Sequence, residues 1–236
     1  MSEVKSLRPA STVVLLRDTE GGLETLMLKR NKALMFAGGL WVFPGGAIDQ
    51  ADIDAGQGDP DAAARIAAAR EAQEECGLTP DLNNMIQLSQ WTTPTAEPKR
   101  FQTWIFAAPI AHDHAVTIDG SEIHDHEWMR VADVVKAHKA GEMGMMPPTY
   151  ITLCSLLGYQ NTAEMIEGER PVAPPEVLPI FAKEGDSVLV MFKGDAGYEN
   201  GESTTPGARH RAVMHDGSWE YLYEGVSEAQ PSFVQR

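Results

Sequence analysis

Apolar positions gather in short blocks separated by turn residues, and the blocks change period along the chain. Thr12–Arg17 alternates into a strand, Gly21-Gly22 marks a turn, and Thr25–Lys29 returns as a second strand, a hairpin. Trp41-Val42-Phe43 is a short strand ended by Pro44. An alanine-rich run, Ala62 to Ala69, predicts a helix over 61–76. Asp59-Pro60 has the order of an N-cap followed by proline at the first helical position, and Gly77 stands where a helix-stopping glycine belongs. Met85–Trp91 and Phe101–Ala108 read as strands around a loop holding Pro94 and Pro98. His126–Arg130 is a short strand, Ala132–Lys139 a helix, and Pro147-Pro148 opens a helix running to about Tyr159. After about Arg170 the pattern changes. Pro171-Val-Ala-Pro-Pro breaks the chain, and Ser187–Phe192, Ala212–Met214 and Trp219–Tyr223 read as strands, the last two joined by an Asp216-Gly217 turn.

The chemistry concentrates in Arg70-Glu71-Ala72-Gln73-Glu74-Glu75-Cys76-Gly77-Leu78. On a helix Glu71 lies beside Glu74 and Glu75, and like charges at those spacings repel. Arg70 reaches Glu74 but cannot neutralise the set. A divalent cation among the carboxylates explains the cluster, and such oxygen-rich sites suit Mg²⁺ or Mn²⁺. Upstream, Phe43-Pro44-Gly45-Gly46 places paired glycines where backbone can approach a ligand closely. The order is therefore strand, Gly-Gly loop, acidic helix, glycine stop.

Gly46 through Leu78 resembles the Nudix box, Gly-x5-Glu-x7-Arg-Glu-U-x-Glu-Glu-x-Gly-U, where U is aliphatic. Arg70, Glu71, Glu74, Glu75, Gly77 and Leu78 match at every fixed position of its second half, and Ala72 is a small U residue. The first half departs from the pattern. Arg70 follows Gly46 by 24 positions where the box has 14, so ten residues are inserted, which we place at about 53–60. Asp52 occupies the position six after Gly46, where the box has glutamate; counted back from Arg70, that position falls on Ala62.

The resemblance implies a fold and a set of roles. The fold is α/β, a Nudix α/β/α sandwich with a mixed β-sheet over residues 1–168, followed by a β-rich extension over 169–236. The extension could cap the site, complete the sheet or form a dimer contact. Glu71, Glu74 and Glu75 would hold the metal, the Gly46 carbonyl would join them, one glutamate would act as base, and Arg70 would orient them. Glu122 precedes Trp128 with the spacing seen in MutT-type relatives, which makes it a candidate extra ligand or base.

A finer resemblance is to the coenzyme A diphosphatase branch, Leu-Leu-Thr-x-Arg-Ser-x3-Arg-x3-Gly-x3-Phe-Pro-Gly-Gly. Arg30, Gly39 and Phe43–Gly46 are kept, while Asn31 and Met35 replace the serine and the second arginine. Methionine cannot imitate a guanidinium fork on phosphate. The insertion, and Trp91 to Phe106, are similar to the longer, peroxisomal-type members. The implied activity is metal-dependent hydrolysis of a nucleoside diphosphate-linked compound, favoured substrate CoA or acyl-CoA. Hydrolysis of a nucleotide sugar, ADP-ribose or another nucleotide, and a catalytically silent Nudix-fold binding or regulatory protein, are the alternatives; the intact Arg70/Glu71/Glu74/Glu75 set argues against the silent one. Arg30 and Arg100 are the candidate substrate contacts, with Lys29, Lys99 and Arg209 as further cationic helpers.

Composition narrows the partners. The chain has 236 residues, 43 % of them hydrophobic, enough for one ordinary domain with an extension. Its net charge of −15 opposes nonspecific nucleic-acid or anionic-membrane binding, and also opposes capture of polyanionic substrates, so metal and local basic residues must overcome the global field. A small-molecule nucleotide diphosphate is the expected partner, and a homodimer is an option the superfamily offers by analogy. Two cysteines, Cys76 and Cys154, lack framework spacing and suggest a reducing compartment. Met1–Pro9 has no apolar signal core, no stretch approaches a membrane span, and the chain ends Val-Gln-Arg rather than in a peroxisomal address. The expectation is a cytoplasmic protein. His112-Asp113-His114 and His124-Asp125-His126 invite a zinc reading but read better as polar residues flanking a strand, and His210, between two arginines, as a phosphate contact.

Overall fold

The computed structural model describes residues 7–34, 37–95, 97–111 and 114–234. Met35 and His112-Asp113, the first two residues of the zinc-suggestive His112-Asp113-His114, lie outside the described residues. The elements are β1 (Leu7–Thr19), β2 (Gly22–Arg30), β3 (Trp41–Val42), β4 (Gly45–Ala47), α1 (Gln50–Ala55), α2 (Pro60–Cys76), β5 (Ile86–Thr92), β6 (Arg100–Pro109), β7 (Ile123–Arg130), α3 (Val131–Lys139), α4 (Pro147–Leu156), α5 (Thr162–Glu169), β8 (Glu176–Val177), β9 (Ile180–Glu184), β10 (Ser187–Met191), β11 (Arg209–His215) and β12 (Ser218–Glu224).

Eight strands form one mixed sheet in the order β3-β2-β1-β6-β5-β8, with β4 against β1 and β7 against β2. The pairs β1–β6 and β5–β8 are parallel and the others antiparallel. Both faces are covered, so in place of the expected alternation β1 carries a continuous apolar run, Val13 to Leu16, buried on both sides. Val13 and Leu15 face α2, whose Ala64, Ala67, Ala68 and Ala72 are fully buried. Val14 and Leu16 face the other way, into a cluster with Val134 of α3 and Leu153 and Leu156 of α4. Alanine along the buried face of α2 lets the helix lie close on the sheet, which brings the polar groups at its far end within reach of β4.

The sheet forks at β1. Leu16–Thr19 pairs with β2, whereas Ala10–Thr12 pairs with β4. β2 leaves β1 at the fork and runs on with β7 and β3. The Phe43–Gly46 segment enters the opening, and its Pro44 carbonyl accepts hydrogen bonds from the Val13 amide at 3.0 Å and the Thr12 hydroxyl at 2.8 Å.

Residues after 169 contribute in two ways. β8 adds a strand beside β5, and β9 to β12 form a separate four-stranded antiparallel sheet. Val190, Ala212 and Trp219 of that sheet, with Phe192 just after β10, continue the apolar cluster over α3 and α4. The junction is also hydrogen-bonded. Buried His138 of α3 bonds the Met143 carbonyl through Nδ1 at 2.8 Å and accepts from the Trp219 amide through Nε2 at 2.8 Å. Burial lowers its pKa and so favours the neutral ring that this pair of bonds requires.

Several boundaries differ from expectation. β7 starts three residues before His126, because its added residues pair with Lys29 and Arg30 of β2. α4 ends at Leu156, and α5 and β9 carried too little periodicity to be read from the chain. The inserted stretch is partly helical. α1 is closed by a capping box between Asp49 and Asp52, and Gly56 abuts α2 so tightly that a Cβ would sit 2.7 Å from the Ala63 nitrogen. Among the described residues no helix is long and apolar enough to cross a membrane.

Candidate active site

The site lies where the fork of the sheet meets the second half of α2. Asp59 caps the helix by accepting from the Asp61 amide, Pro60 starts it, and Gly77 ends it in the left-handed region at φ 74°, as the sequence pattern predicts. Gly45 and Gly46 are required by space, since neither has a positive φ. A Cβ on Gly45 would lie 2.1 Å from the Thr12 hydroxyl, and one on Gly46 would lie 2.5 Å from the Glu71 carboxylate carbon. The paired glycines thus let the loop fit between β1 and the glutamates of α2.

Arg70 organises the carboxylates. Its Nε and Nη2 donate to the two oxygens of Asp52 at 3.2 and 3.0 Å. Nη1 donates to Glu71 at 2.8 Å and Glu74 at 3.2 Å, and Nη2 also reaches the Ala47 carbonyl at 3.0 Å. The planar fork of a guanidinium suits such simultaneous contacts, where a lysine ammonium would not. Asp52 is only 2 % exposed. Burial pushes its carboxyl up, but the hydrogen bonds from Arg70 and the Asp49 amide outweigh this and its pKa is lowered. The hydrogen bond with Asp52 leads the effects that raise the pKa of Arg70.

Glu75 is the deepest of the three glutamates, at 7 % exposure. Its Oε2 accepts from the Gly45 amide at 3.0 Å, and its Oε1 lies 3.9 Å from Arg30. Burial pushes its pKa up to about 8, the Gly45 amide opposes the shift, and repulsion from Glu71 adds to it. Burial also raises Glu71, with Arg70 partly offsetting it. Glu74 is exposed at the rim, as is Glu122, whose Oε2 accepts from Arg30 Nη2 at 3.1 Å.

Gly46, Arg70, Glu71, Glu74, Glu75, Glu122 and Arg30 therefore come together. Arg100 does not join them by a comparable bond. It opens β6 opposite Leu7, five residues along β1 from Thr12, roughly 16 Å at strand rise, and its Nε donates to the Thr93 carbonyl. Arg209 is engaged with the carbonyls of Thr205, Gly207 and Ala208. His210 is no phosphate contact. It is 2 % exposed, its Nδ1 bonds the Lys193 carbonyl, and it packs among Phe192, Tyr221, Tyr223 and Phe233. Sequence reasoning did not find the ties that Asp119 makes beside Glu122. The Asp-Gly dipeptide of an Asx turn was the available signal.

Among the described residues, no three His, Cys, Asp or Glu side chains stand gathered as a finished metal cage. Glu71 and Glu74 turn instead to Arg70. The donor set still fits a hard divalent cation. Glu71 and Glu75 are oxygen donors whose ionisation is disfavoured by burial, and Glu75 has its nearest guanidinium 3.9 Å away. A cation between them would reverse that penalty.

Comparison with known proteins agrees with this geometry. A family model described as NUDIX domain matches residues 7–147. A Caenorhabditis elegans protein that carries the provisional name nudix hydrolase 7 is 26 % identical over 233 residues, spanning 82 % of this chain and 75 % of that protein. The crystal structure of a NUDIX hydrolase from Alicyclobacillus acidocaldarius superposes with a TM-score of 0.64 at 23 % identity, covering 69 % of this chain and 96 % of the other.

Proposed function

This chain belongs to the Nudix family and is a Nudix-type hydrolase, and from that premise we propose that it hydrolyses a nucleoside diphosphate-linked compound with CoA or acyl-CoA as favoured substrate. Nudix hydrolases generally use divalent metals, and Mg²⁺ or Mn²⁺ is the choice that an all-oxygen donor set favours here. The carrying observation is the carboxylate set itself: Arg70 holding Asp52, Glu71 and Glu74 at once, with Glu75 buried against the Gly45 amide.

Glu71, Glu74, Glu75 and the Gly46 carbonyl would hold the metal. Bound there, a divalent cation neutralises diphosphate charge and acidifies water. The protein's own groups supply the rest. Arg70 orients Glu71 and Glu74, and Asp52 takes the part of the box's missing first glutamate by anchoring Arg70 from α1. Glu122, half-exposed across from α2, serves as the extra ligand or proton acceptor. Arg30 lies between Glu75 and Glu122, where a phosphate oxygen would meet it. Arg100 would touch only the distal part of a long substrate.

The CoA reading is supported by the sequence motif, Arg30, Gly39 and Phe43–Gly46, and by where Arg30 stands, between Glu75 and Glu122. The Arg30 amide donates to the Leu40 carbonyl, and the Gly39 amide donates back to the Arg30 carbonyl, with Gly39 at φ 79°. We read residues 169–236 as an extension packed on the α3–α4 side. Both cysteines are free and buried, which suits a reducing, cytoplasmic setting.

The test is incubation with Mg²⁺ or Mn²⁺ and CoA, acetyl-CoA, ADP-ribose, NADH, a nucleotide sugar and a nucleoside triphosphate, with products read by mass spectrometry. Cleavage of CoA to 3′,5′-ADP and phosphopantetheine is expected. Turnover of another compound instead would keep the reaction class and discard CoA, and turnover of none would favour the binding-protein reading.

The glycine loop gives a second expected result. Gly46→Ala places a methyl group against Glu71 and displaces that carboxylate, so kcat/KM falls by about 10²-fold, the usual cost of misplacing a reacting group by an ångström. The melting temperature changes little, because Gly46 is only half-buried and the group it would displace is the far end of a side chain.

A further inference from the structure

We propose that Asp119 is a positioning residue that sets Glu122 across the site from α2; this rests on the reading of Glu122 given above. The loop before β7 crosses the C-terminal end of α2, where helix carbonyls lack partners of their own. Two are taken by this loop. The Thr117 amide donates to the Cys76 carbonyl at 2.9 Å, and the Asp119 amide to the Glu75 carbonyl at 3.3 Å.

From that anchor the Asp119 side chain builds the next turn. Its Oδ2 accepts from the Ser121 amide at 3.1 Å, the Ser121 hydroxyl, and the Glu122 amide at 2.8 Å. Its Oδ1 accepts from the Ile123 amide at 2.9 Å. Slight burial pushes the carboxyl up, but these donors outweigh it and hold its pKa down to about 2, so the acceptor stays ionised at neutral pH. Gly120 supplies the left-handed residue of the turn at φ 74°.

The neighbouring loop is stitched to the same turn. The Asn31 amide donates to the Glu122 carbonyl at 2.8 Å, and its side-chain amide to the Ser121 carbonyl at 3.3 Å. The Glu122 carboxylate then meets Arg30, whose other Nη faces Glu75. The ring is closed through Glu75: its backbone holds Asp119, and its carboxylate faces the arginine that holds Glu122. Asp119 and Glu122 are both exposed, and three successive amides, Ser121 to Ile123, donate to the one Asp119 carboxylate.

A double-mutant cycle tests this, using Asp119→Ala, Glu122→Gln and the double variant, with the substrate that the panel identifies. Asp119→Ala should lower kcat by about 10-fold or more with a smaller change in KM, and should cost little further in the Glu122→Gln background. Asp119→Asn, which keeps one acceptor oxygen, should recover part of the loss. In the metal-free protein, amide hydrogen exchange at Glu122 and Ile123 should accelerate by about 10-fold or more in Asp119→Ala while α2 exchanges as in wild type. Equal losses in both backgrounds, an unaffected kcat where Glu122→Gln is impaired, or unchanged exchange would each overturn the proposal. A wild type inactive on every substrate would instead defeat the reading of Glu122, and the exchange measurement alone would then decide whether Asp119 places that residue.

Discussion

Replacing Glu75 with glutamine lowers turnover by about 10³-fold or more and leaves the metal-free protein at least as stable as wild type. The two halves of this result have one cause. Glu75 is buried beside Glu71, with only the Gly45 amide and a guanidinium 3.9 Å away to offset its charge. Its folded pKa, about 8, lies above its ordinary value of 4.5. The stabilising contribution of such a group is complete below the unfolded pKa and is lost as pH rises toward 8. Glutamine keeps an oxygen for the Gly45 amide and never ionises, so the metal-free variant should melt higher than wild type at pH 8, with the gap closing near pH 4. On the proposed role of Glu75 the same change would remove a metal-holding charge, and activity would go with it. Glu74→Gln should lose activity similarly with no such gain in stability, because Glu74 is exposed and held by Arg70. A metal-free Glu75→Gln protein melting well below wild type at pH 8 would refute this account, as would a variant retaining near-normal turnover.

The largest effect on stability is expected far from the site. Asp195 and Arg211 form a buried pair, with Arg211 donating through Nε and Nη2 at 2.7 Å each. Asp195 also accepts from the Gly197 and His210 amides, and Arg211 Nη1 reaches the Ser203 carbonyl. Their side chains are 0 % and 4 % exposed. Arg211→Ala strands a buried carboxylate, which costs about 3–5 kcal/mol. That is roughly a 6–20 °C drop in melting temperature for a chain of this size. Burial raises Asp195, but Arg211 and the two amides outweigh it and its pKa is lowered. Its contribution is therefore present above about pH 4 and lost as pH falls below that. The difference between Arg211→Ala and wild type should shrink in the same range. Making both positions apolar should recover only part of the loss, since the two backbone amides would still lack their acceptor. A thermal-denaturation series from pH 3 to 8 checks all three statements.

How much was legible in the chain varies by element. Glu71, Glu74, Glu75 and Arg70 are four positions of one helix, and helical spacing alone places them on neighbouring turns. The caps at Asp59-Pro60 and Gly77 bound that helix for the same local reason. The centres of β1, β2, β5 and β6 were readable because each is a strand-length segment bounded by turn or proline-rich stretches. The strands of the C-terminal sheet were partly readable, with β11 longer at both ends than its apolar centre suggested.

The rest depends on contacts between distant segments. Asp52 sits in the inserted stretch, and no spacing rule could show that a six-residue helix would return it to Arg70. Arg100 looked as favourable a cation as Arg30 in the sequence. Strand register sends one to the far end of β1 and the other between Glu75 and Glu122. His210, between two arginines, read as a phosphate contact, yet β11 turns it into an aromatic cluster while Arg211, on the opposite face, takes Asp195. The chain by itself presented the groups proposed to do the chemistry, because their spacing along one helix is local. The tertiary structure decided which charge meets which, because burial and pairing arise only once strands far apart in sequence are side by side.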